Sequence, residues 1–511
     1  MKKSNPLVFL FFLSLIFGNA SANSAPMGGL IDAVQSCRPD QVKDILETDP
    51  TVNLEFPDPH GETALHLATY GLCGPASVEI VTLLISHGAD VNTHNNDGDT
   101  PLISITKDYY QNKKWAQQGA FDARFEIAKL LLQAKADPDL RNNDGQTAIL
   151  SAVENDLSMG FYLSDLIHLF LDAGADSNAF NEKQKGCEYP LVCAIHHRHS
   201  LFVYWLLKGG ANPNILTNGV PLLVDIARTR WLLRYDVNWH LNYDFELIGI
   251  TKALIEAGSD FSTALDEAAR RGNVPMVKTL VEGRAPLGNS LSEAVTGLFL
   301  NHSHQQDLDA VALYLIQQGA LPSQKLLNLA VIQRRKALAE ALANAMIHSG
   351  LKLDGSALVA AIDEEDVPIA LSLIQAGVPL EARNNRQKTP LLMILSSSNY
   401  HLYELVAPLI RAGADLEADQ NGNTALCVAV ENQLYSQMKV LIAAKANVNK
   451  CYVTPLMWAS EQGDLDAVNT LIAAGANANA VSGSLNVLDY AIRGKNPEVI
   501  KAVVLAGSPP K

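Results

Sequence analysis

Short apolar runs recur along the chain, and a polar phrase that opens with glycine follows them. Ile80 to Ile85 and Val468 to Ile472 are two such runs. The phrase reads Gly-Ala-Asp/Asn-x-Asn/Glu, and it stands in full at Gly88, Gly174, Gly210, Gly413 and Gly475 and more weakly at Lys135, Gly258, Gly283, Gly319, Gly350, Gly377, Lys445 and Gly507. Glycine tolerates the left-handed backbone conformation that ends a helix, and Asp or Asn then starts a turn. The pattern predicts about fourteen helical units, the first of which ends near Asp49.

A second phrase marks the place where a unit begins. It puts a threonine, often followed by proline, before an apolar run, as in Gly61-Glu62-Thr63-Ala64-Leu65 and Val453-Thr454-Pro455-Leu456. The threonine oxygen can cap unpaired helical N–H groups, and proline suits the first helical turn because its missing N–H costs nothing there. We therefore predict that a helix starts after each of the threonines Thr63, Thr100, Thr147, Thr389, Thr424 and Thr454.

The two phrases recur in a fixed order, and residues 63 to 68 match the T-P-L-H-x-A phrase of ankyrin repeats almost letter for letter. Over roughly residues 28 to 508 the chain resembles the ankyrin-repeat family. The resemblance implies an all-α solenoid of about fourteen helix-turn-helix units, joined by short β-hairpin-like fingers. It also implies a structural hydrogen-bonding role for His66 and a recognition face made of finger tips and first helices.

The units contract between Gly258 and Gly377, where the loops lack the usual long turn. We expect shortened fingers there and an interrupted recognition face. The expected organisation is therefore a signal peptide, regular repeats, degenerate short repeats and regular repeats again, at residues 1–22, 23–263, 264–355 and 356–511.

Units three and six carry insertions between their two helices, from Lys107 to Arg124 and from about Arg228 to Asp244. In a stacked array all inter-helix turns emerge along one edge, so we expect both insertions on the same side. Exposed aromatic residues commonly anchor protein interfaces, and the alternative is that each insertion buries its own rings. The candidate partner-binding residues in the insertions are Tyr109, Tyr110, Trp115, Trp231, Tyr235 and Trp239.

The finger tips offer polar candidates for partner contact. Asn96, Asn143 and Asn385 occupy equivalent places in three similar phrases, the first of which is His94-Asn95-Asn96-Asp97. Because Asn, Asp and Gly favour tight turns for local reasons, these residues are turn formers first, and partner contact is an added role.

The N-terminus combines Met1-Lys2-Lys3, an apolar run from Leu7 to Phe17, and Ala20-Ser21-Ala22. This order of regions is typical of a secretory signal peptide. A membrane anchor is the competing interpretation, but a spanning helix needs roughly 20 apolar residues and this run is shorter. We expect cleavage after Ala22 and export, with the periplasm favoured and the extracellular space as the alternative. No later stretch is apolar enough to span a membrane.

The net charge of the chain indicates which class of partner it can bind. The formal net charge is −15, and it becomes more negative when Lys2 and Lys3 leave with the signal segment. An acidic chain is poorly suited to nucleic acid. The acidity either keeps a leucine-rich surface soluble or fits a basic protein partner.

The six cysteines fall into three local pairs, and an even number in an exported chain suggests disulfides. Six cysteines allow 15 connectivities, and among these we expect Cys37 to pair with Cys73, because both fall at inter-helix turns of adjacent units. Cys427 and Cys451 lie in one first helix and at the start of the next unit, so we expect a second pair. Cys187 and Cys193 are close in sequence, and their short loop is harder to close. Zinc is the alternative for these residues, but no C-x-x-C or Cys/His quartet occurs.

No compact catalytic signature of the G-x-S-x-G, H-E-x-x-H, Walker or G-x-G-x-x-G type occurs. The histidine clusters 196–199 and 302–304 fit inter-helix turns, where consecutive side chains diverge, so we expect neither a metal nor a cofactor. The leading hypothesis is a non-catalytic periplasmic module that binds a protein, such as a secreted or periplasmic enzyme, and inhibits or stabilises it. The alternatives are an immunity protein that neutralises an exported toxin or effector enzyme, and an enzyme with a site in the inserted loops.

Overall fold

The structure is a computed structural model, and it describes residues 27–107, 118–155, 162–228, 240–261, 263–297 and 302–507. Within these ranges the backbone forms 28 α-helices and two short antiparallel hairpins. The chain divides into two compact parts, Met1–Phe261 and Ser262–Lys511, which are called the N-terminal half and the C-terminal half below.

The described helices of the N-terminal half pair into six repeat units, each with a first and a second helix. They are α1 Met27–Gln35, α2 Pro39–Thr48, α3 Ala64–Thr69, α4 Pro75–Ser86, α5 Pro101–Thr106, α6 Gln118–Gln133, α7 Ala148–Glu154, α8 Tyr162–Asp172, α9 Pro190–His196, α10 Ser200–Lys208, α11 Leu222–Arg228 and α12 His240–Glu256. In this half the second helix of each unit packs on the second helix of the next unit, in the order α2, α4, α6, α8, α10 and α12. The first helices likewise pack on one another in the order α1, α3, α5, α7 and α9.

The described helices of the C-terminal half pair into eight further units. They are α13 Ala264–Arg270, α14 Val274–Glu282, α15 Ser290–Thr296, α16 His302–Gln317, α17 Gln324–Ile332, α18 Lys336–His348, α19 Ser356–Asp363, α20 Val367–Gln375, α21 Pro390–Leu395, α22 Val406–Arg411, α23 Ala425–Glu431, α24 Tyr435–Ala443, α25 Pro455–Gln462, α26 Leu465–Ala473, α27 Val487–Gly494 and α28 Pro497–Gly507. A 3₁₀ turn, Tyr400–Leu405, leads into α22. The predicted all-α architecture of about fourteen helical pairs is therefore confirmed.

Helix starts follow the threonine phrase. The first helices α3, α5, α7, α21, α23 and α25 each begin at the residue after a threonine that the sequence marks. The hydroxyls of Thr63, Thr100, Thr147 and Thr454 accept the N–H of the third helical residue at 3.3 to 3.4 Å. These capping bonds explain the sharp starts, because the first N–H groups of a helix have no partner inside it.

His66 is fully buried and joins two neighbouring units. Its Nδ1 lies 2.9 Å from the Thr63 hydroxyl and accepts the Thr63 N–H, while its Nε2 lies 3.0 Å from the Asp99 carbonyl oxygen in the next finger. Burial lowers the pKa of His66, which favours the neutral ring that this arrangement needs. The hydrogen bonds agree with the structural role implied by the resemblance.

Helix ends follow the glycine phrase. Gly88, Gly174 and Gly475 take φ values near +90°, and the lysines that replace glycine, Lys135 and Lys445, also adopt the left-handed region with φ of 67°. After α4 the Ala89 N–H donates to the Leu84 carbonyl, which closes the helix end with a Schellman bond.

The fingers contain the two hairpins. In the N-terminal half β1 Leu216–Thr217 pairs with β2 Val220–Pro221, and in the C-terminal half β3 Val481–Ser482 pairs with β4 Leu485–Asn486. Asn218 and Gly219 between β1 and β2 both have positive φ, as a type I′ hairpin turn requires. The prediction of short hairpin-like fingers is confirmed.

Successive fingers are joined by a repeated hydrogen bond, which we call the rung. In each rung a side-chain oxygen of one unit accepts the backbone N–H of the Asp or Asn in the next glycine phrase at 2.7 to 2.8 Å. The described acceptor–donor pairs are Glu55–Asp90, Asn92–Asp137, Asp139–Asp176, Asn178–Asn212 and Asn214–Asp260 in the N-terminal half, and Glu381–Asp415, Glu417–Asn447 and Asn449–Asn477 in the C-terminal half.

Asparagine makes the rung two-sided. Asn178 also donates from Nδ2 to the Gly210 carbonyl at 3.1 Å, and Asn449 donates to the Gly475 carbonyl at 3.1 Å. One asparagine amide therefore bonds to both the first and the third residue of the next phrase, as Asn178 does to Gly210 and Asn212. This accounts for the recurrence of Asn at the fifth position of the phrase.

Short connections replace the fingers at 283–289, 318–323 and 349–355. Side chains join the neighbouring units there instead. The Ser290 hydroxyl donates to Asp266 at 2.6 Å and the Asn328 amide donates to the Ser356 hydroxyl at 2.7 Å. The Arg335 side chain, buried, donates to Asp309 and to the Val295 carbonyl.

The helices have apolar faces that meet in the interior of each stack, where residues such as Leu65, Ile127 and Leu280 are buried. None of the described helices combines the length and apolarity needed to cross a membrane.

We predict that Asn178→Ala loosens the joint between the fourth and fifth fingers, because it removes both bonds to the next phrase. The expected cost is about 1 to 2 kcal/mol of local stability. The measurement is hydrogen exchange at the Asn212 amide, which should exchange faster in the variant. Local exchange is preferable to a melting curve because long repeat arrays can unfold in several steps.

The matched control is Asn178→Asp, which keeps the acceptor oxygen and removes only the donor to Gly210, as Asp139 does in its own rung. Protection of the Asn212 amide should survive in this variant. Equal protection in Asn178→Ala and the parent chain would show that the rung contributes nothing.

Candidate protein-binding surface

The two aromatic insertions contain residues that the structure does not describe. Tyr109, Tyr110 and Trp115 lie in 108–117, and Trp231, Tyr235 and Trp239 lie in 229–239, so their partner-binding role stays a prediction. The flanking helices show that both segments connect the first helix of a unit to its second, α5 to α6 and α11 to α12.

Asn96 and Asn143 are exposed and hold successive finger tips together. The Asn96 side chain donates to the Pro59 carbonyl at 3.2 Å, and the Asn143 side chain donates to the Asn96 carbonyl at 3.0 Å. Their backbone N–H groups donate to His60 and Asp97. Both residues therefore have a structural role, and any contact with a partner would be additional to it.

Glycine is required where these tips meet. Gly98 has φ of +76°, and a Cβ atom added to it would lie 2.7 Å from both the backbone nitrogen and Oδ1 of Asn143. No real Cβ fits at that distance, so the contact between the tips depends on glycine.

The third predicted tip residue, Asn385, is exposed in the C-terminal half. Its finger is supported by Arg383, which donates to the Gln387 carbonyl of the same finger and the Asp419 carbonyl of the next, at 2.7 and 2.9 Å. Arg141 makes the same two contacts in the N-terminal half, to Gly145 and Phe180. Paired bonds of this kind hold the finger backbone in place.

Arg141 and Arg383 stand six residues after the residue that opens the glycine phrase, and we call this place the outer finger position. It is apolar in some fingers. Phe180 and Leu216 occupy it in two consecutive fingers of the N-terminal half, with exposures of 49% and 60%. The ring of Tyr189 lies 5.0 Å from that of Phe180.

The C-terminal half has a second exposed apolar pair on consecutive fingers. Val481 occupies the outer finger position and is 66% exposed, and Tyr452 on the preceding finger is 72% exposed. The Tyr452 hydroxyl lies near Gly483 of the next finger. Neither pair was predicted from the sequence, although the fixed spacing after each phrase identifies the places of Phe180, Leu216 and Val481.

Polar pairs lie at the bases of the fingers beside the first helices. The residue before the N-cap contacts the residue eight positions later in the pairs Glu62–Tyr70, Asp99–Lys107 and Gln146–Glu154. Burial raises the pKa of Glu62, against the lowering effect of the Tyr70 hydrogen bond. Asn142 donates to both Asp99 and Gln146, which links two of the pairs.

The six cysteines lie in three pairs at disulfide distance. The Cα atoms are 5.5 Å apart for Cys37 and Cys73, 4.4 Å for Cys187 and Cys193, and 6.5 Å for Cys427 and Cys451. A disulfide spans 4.4 to 6.8 Å between Cα atoms, so all three pairs are compatible with bridges.

The histidines of the 196–199 cluster do not converge on one another. The rings of His197 and His199 have centroids 6.4 Å apart, and His199 packs against Phe202. His197 instead joins Cys187 and Cys193, and their potential ligand atoms all lie within 4.8 Å of one another. The expectation of no metal ligands overlooked this combination. The prediction that His302 and His304 lie in an inter-helix turn was wrong, because both belong to the first turn of α16; their side chains are outside the described residues.

A comparison with protein-family models finds three copies of ankyrin repeats, within residues 30–112 and 392–482. These ranges include the first units of the N-terminal half and the later units of the C-terminal half. No curated protein matches the chain significantly.

We predict that the chain isolated from an oxidising compartment contains the bridges Cys37–Cys73 and Cys427–Cys451. Their loops span 36 and 24 residues, for which the chain-entropy model gives about 3 to 4 kcal/mol of stabilisation each. Serine at either cysteine should lower the free energy of unfolding by a similar amount. Non-reducing peptide mapping followed by denaturant unfolding makes both measurements.

The control is the same serine variant compared with its parent under a thiol reductant, where the difference in stability should nearly vanish. Thiols at these four positions that react freely in the native, unreduced chain would contradict the prediction.

Proposed function

Because the matched repeats make this chain an ankyrin-repeat protein, we propose that it binds another protein and catalyses no reaction. Ankyrin repeats are binding modules in general, and the described geometry suits that role. The observation that carries the proposal is the pair of exposed apolar side chains, Phe180 and Leu216, on fingers whose backbones are fixed by hydrogen bonds.

Rigidity matters because a preformed surface loses little conformational entropy on binding. The Phe180 carbonyl accepts from Arg141, and the rung from Asn178 to Asn212 joins its finger to the one that carries Leu216. The β1–β2 hairpin further orders the finger of Leu216. The exposed side chains therefore project from an ordered support.

The aromatic insertions extend this proposal. Trp115, Trp231 and Trp239 belong to segments that the repeat does not need for stacking, and buried tryptophan is a frequent anchor in protein interfaces. Asn96, Asn143 and Asn385 supply exposed polar groups at the finger tips for the rim of such an interface.

We propose that the chain is exported and acts in the periplasm. The order of charged, apolar and small residues at 1–22 supports this location. Three cysteine pairs at disulfide distance are compatible with an oxidising compartment.

The partner we propose is a basic secreted or periplasmic enzyme that the chain inhibits or stabilises. The net charge of −15 favours a basic partner by electrostatic complementarity. An immunity protein that neutralises an exported toxin or effector enzyme is the second candidate, and it depends on the same charge.

We predict that Phe180→Ser combined with Leu216→Ser weakens the affinity for the partner by about 30-fold or more, equivalent to about 2 kcal/mol at a hot spot. The full mature chain captures the partner from a periplasmic extract, and titration with the purified partner gives the affinity. Replacing Trp115, Trp231 and Trp239 by Ala in a separate variant should produce a comparable loss.

Two controls separate binding from folding. Leu321→Ser alters a leucine that is 75% exposed outside the fingers and should leave the affinity unchanged. Leu65→Ala opens a cavity in the core and should cost roughly 2 to 5 kcal/mol of local stability. Unaltered affinity in the finger variant would place the interface elsewhere, and turnover by the purified chain in a broad enzyme assay would contradict a purely binding function.

For export, we predict that the mature chain begins at Asn23. Mass spectrometry of the protein from the periplasmic fraction makes the measurement. A chain in that fraction that retains Leu7 to Phe17 would be anchored and would contradict the proposal.

A further inference from the structure

Cys193 and His197 occupy successive turns on one side of a helix end. Helix α9 runs from Pro190 to His196, and the His197 N–H donates to the Cys193 carbonyl at 2.9 Å. Residues four apart in a helix lie on the same face. Cys193 is 1% exposed and His197 is half-buried, so both side chains border the interior.

The loop before α9 brings a third ligand to this face. The Cys187 N–H donates to the Gln184 carbonyl at 3.3 Å, and this turn places the Cys187 Cα 4.4 Å from that of Cys193. Within the described part of the chain, Cys187, Cys193 and His197 are the one group of three metal-ligating side chains that converge.

The ring of His197 is oriented by the neighbouring repeat. Its Nδ1 lies 3.2 Å from the Val153 carbonyl oxygen at the end of α7. A carbonyl can only accept, so Nδ1 carries the proton and Nε2 keeps its lone pair. A backbone carbonyl on the far nitrogen is the usual support of a metal-binding histidine.

We propose that Cys187, Cys193 and His197 bind one divalent cation, zinc by preference, when the two thiols are reduced. Zinc takes thiolate sulfur at about 2.3 Å and imidazole nitrogen at about 2.0 to 2.1 Å. Tetrahedral ligands at these lengths lie about 3.6 to 3.8 Å apart. The three ligand atoms lie within 4.8 Å of one another in the disulfide-paired chain, so opening the disulfide and rotating the side chains can bring them to these distances. Water completes the fourth position.

The site and the Cys187–Cys193 disulfide exclude each other. An external dithiol reduces the disulfide by transferring two electrons and two protons to its sulfurs, and is itself oxidised to a disulfide. Zinc then binds the thiolates and releases the thiol protons to solvent. This pair therefore differs from Cys427 and Cys451. Both of their sulfurs lie 3.3 Å from the Thr424 hydroxyl, and among the described residues no histidine joins them in a metal-ligating group.

The test uses the full mature chain after treatment with a dithiol and its removal under anaerobic conditions. Zinc bound after dialysis is measured by elemental analysis, and cobalt is substituted to detect sulfur-to-metal charge transfer. The combined variant Cys187→Ser and Cys193→Ser should lose one equivalent of metal relative to the parent, and His197→Ala should weaken zinc binding at least tenfold. His196→Ala, which alters the preceding and more exposed histidine, should change nothing.

Protection from alkylation keeps the result independent of variant folding. Zinc should slow the reaction of Cys187 with iodoacetamide in the reduced parent chain, and peptide mass spectrometry follows that site. The proposal is overturned by equal metal content in the double-serine variant, by unchanged affinity in His197→Ala, by an equal loss in His196→Ala, or by a disulfide that no dithiol reduces in the folded chain. Tight zinc binding by the oxidised chain would also overturn it.

Discussion

The rung between neighbouring fingers is the interaction on which the regular repeats depend. A helical pair with one apolar face is not stable alone, so each unit must be placed accurately on the next. Apolar packing supplies the driving force but little direction, whereas the hydrogen bond from Asn178 to Asn212 fixes the position of one phrase relative to the other. The same geometry recurs at 2.7 to 2.8 Å in the described rungs, both at complete phrases and at weaker ones such as that at Lys445.

The shortened units show what happens when the phrase is lost. After α14 the left-handed residue is Arg284, so Pro286 falls where the regular units have the Asp or Asn that donates the rung, and proline cannot donate a backbone N–H. Ion pairs and hydroxyl bonds between helices serve instead, including the buried Arg335 side chain. A buried charge is costly unless it is paired and hydrogen-bonded. The shortened units therefore depend on a few particular side chains, whereas the regular units depend on a repeated backbone contact.

How much was predictable depends on how local the determining interaction is. Helix starts at Thr63 and Thr454 and turns at Lys135 and Lys445 were predictable, because capping and left-handed turns depend on a few adjacent residues. The turn-forming role of Asn96 and Asn143 was predicted, but their hydrogen bonds to the preceding finger were not, since a turn-forming residue and an inter-unit donor look the same in sequence.

The convergence of Cys187, Cys193 and His197 was not predicted for a different reason. The histidines of the 196–199 cluster are adjacent in sequence, whereas the ligands come from one helix face and a loop that returns to it. Such a group becomes visible only when the helix spacing and the loop turn are considered together. The aromatic residues of the insertions have no phrase to fix them, so the repeat pattern gives no information about their contacts.

The rung also determines where the surface can vary. The glycine, the turn-forming Asp or Asn and the rung residue are all committed to backbone contacts, so substitution there disturbs stacking. The outer finger position takes no part in the rung, so its residue type varies. It is a bridging arginine at Arg141, an apolar residue at Phe180 and Leu216, and a cysteine of a disulfide-distance pair at Cys451. Recognition can therefore differ from finger to finger while the support stays the same. Tyr189 contacts Phe180 and follows Cys187 by two residues, so the proposed exchange between disulfide and metal site takes place in a loop that contacts one of these exposed side chains.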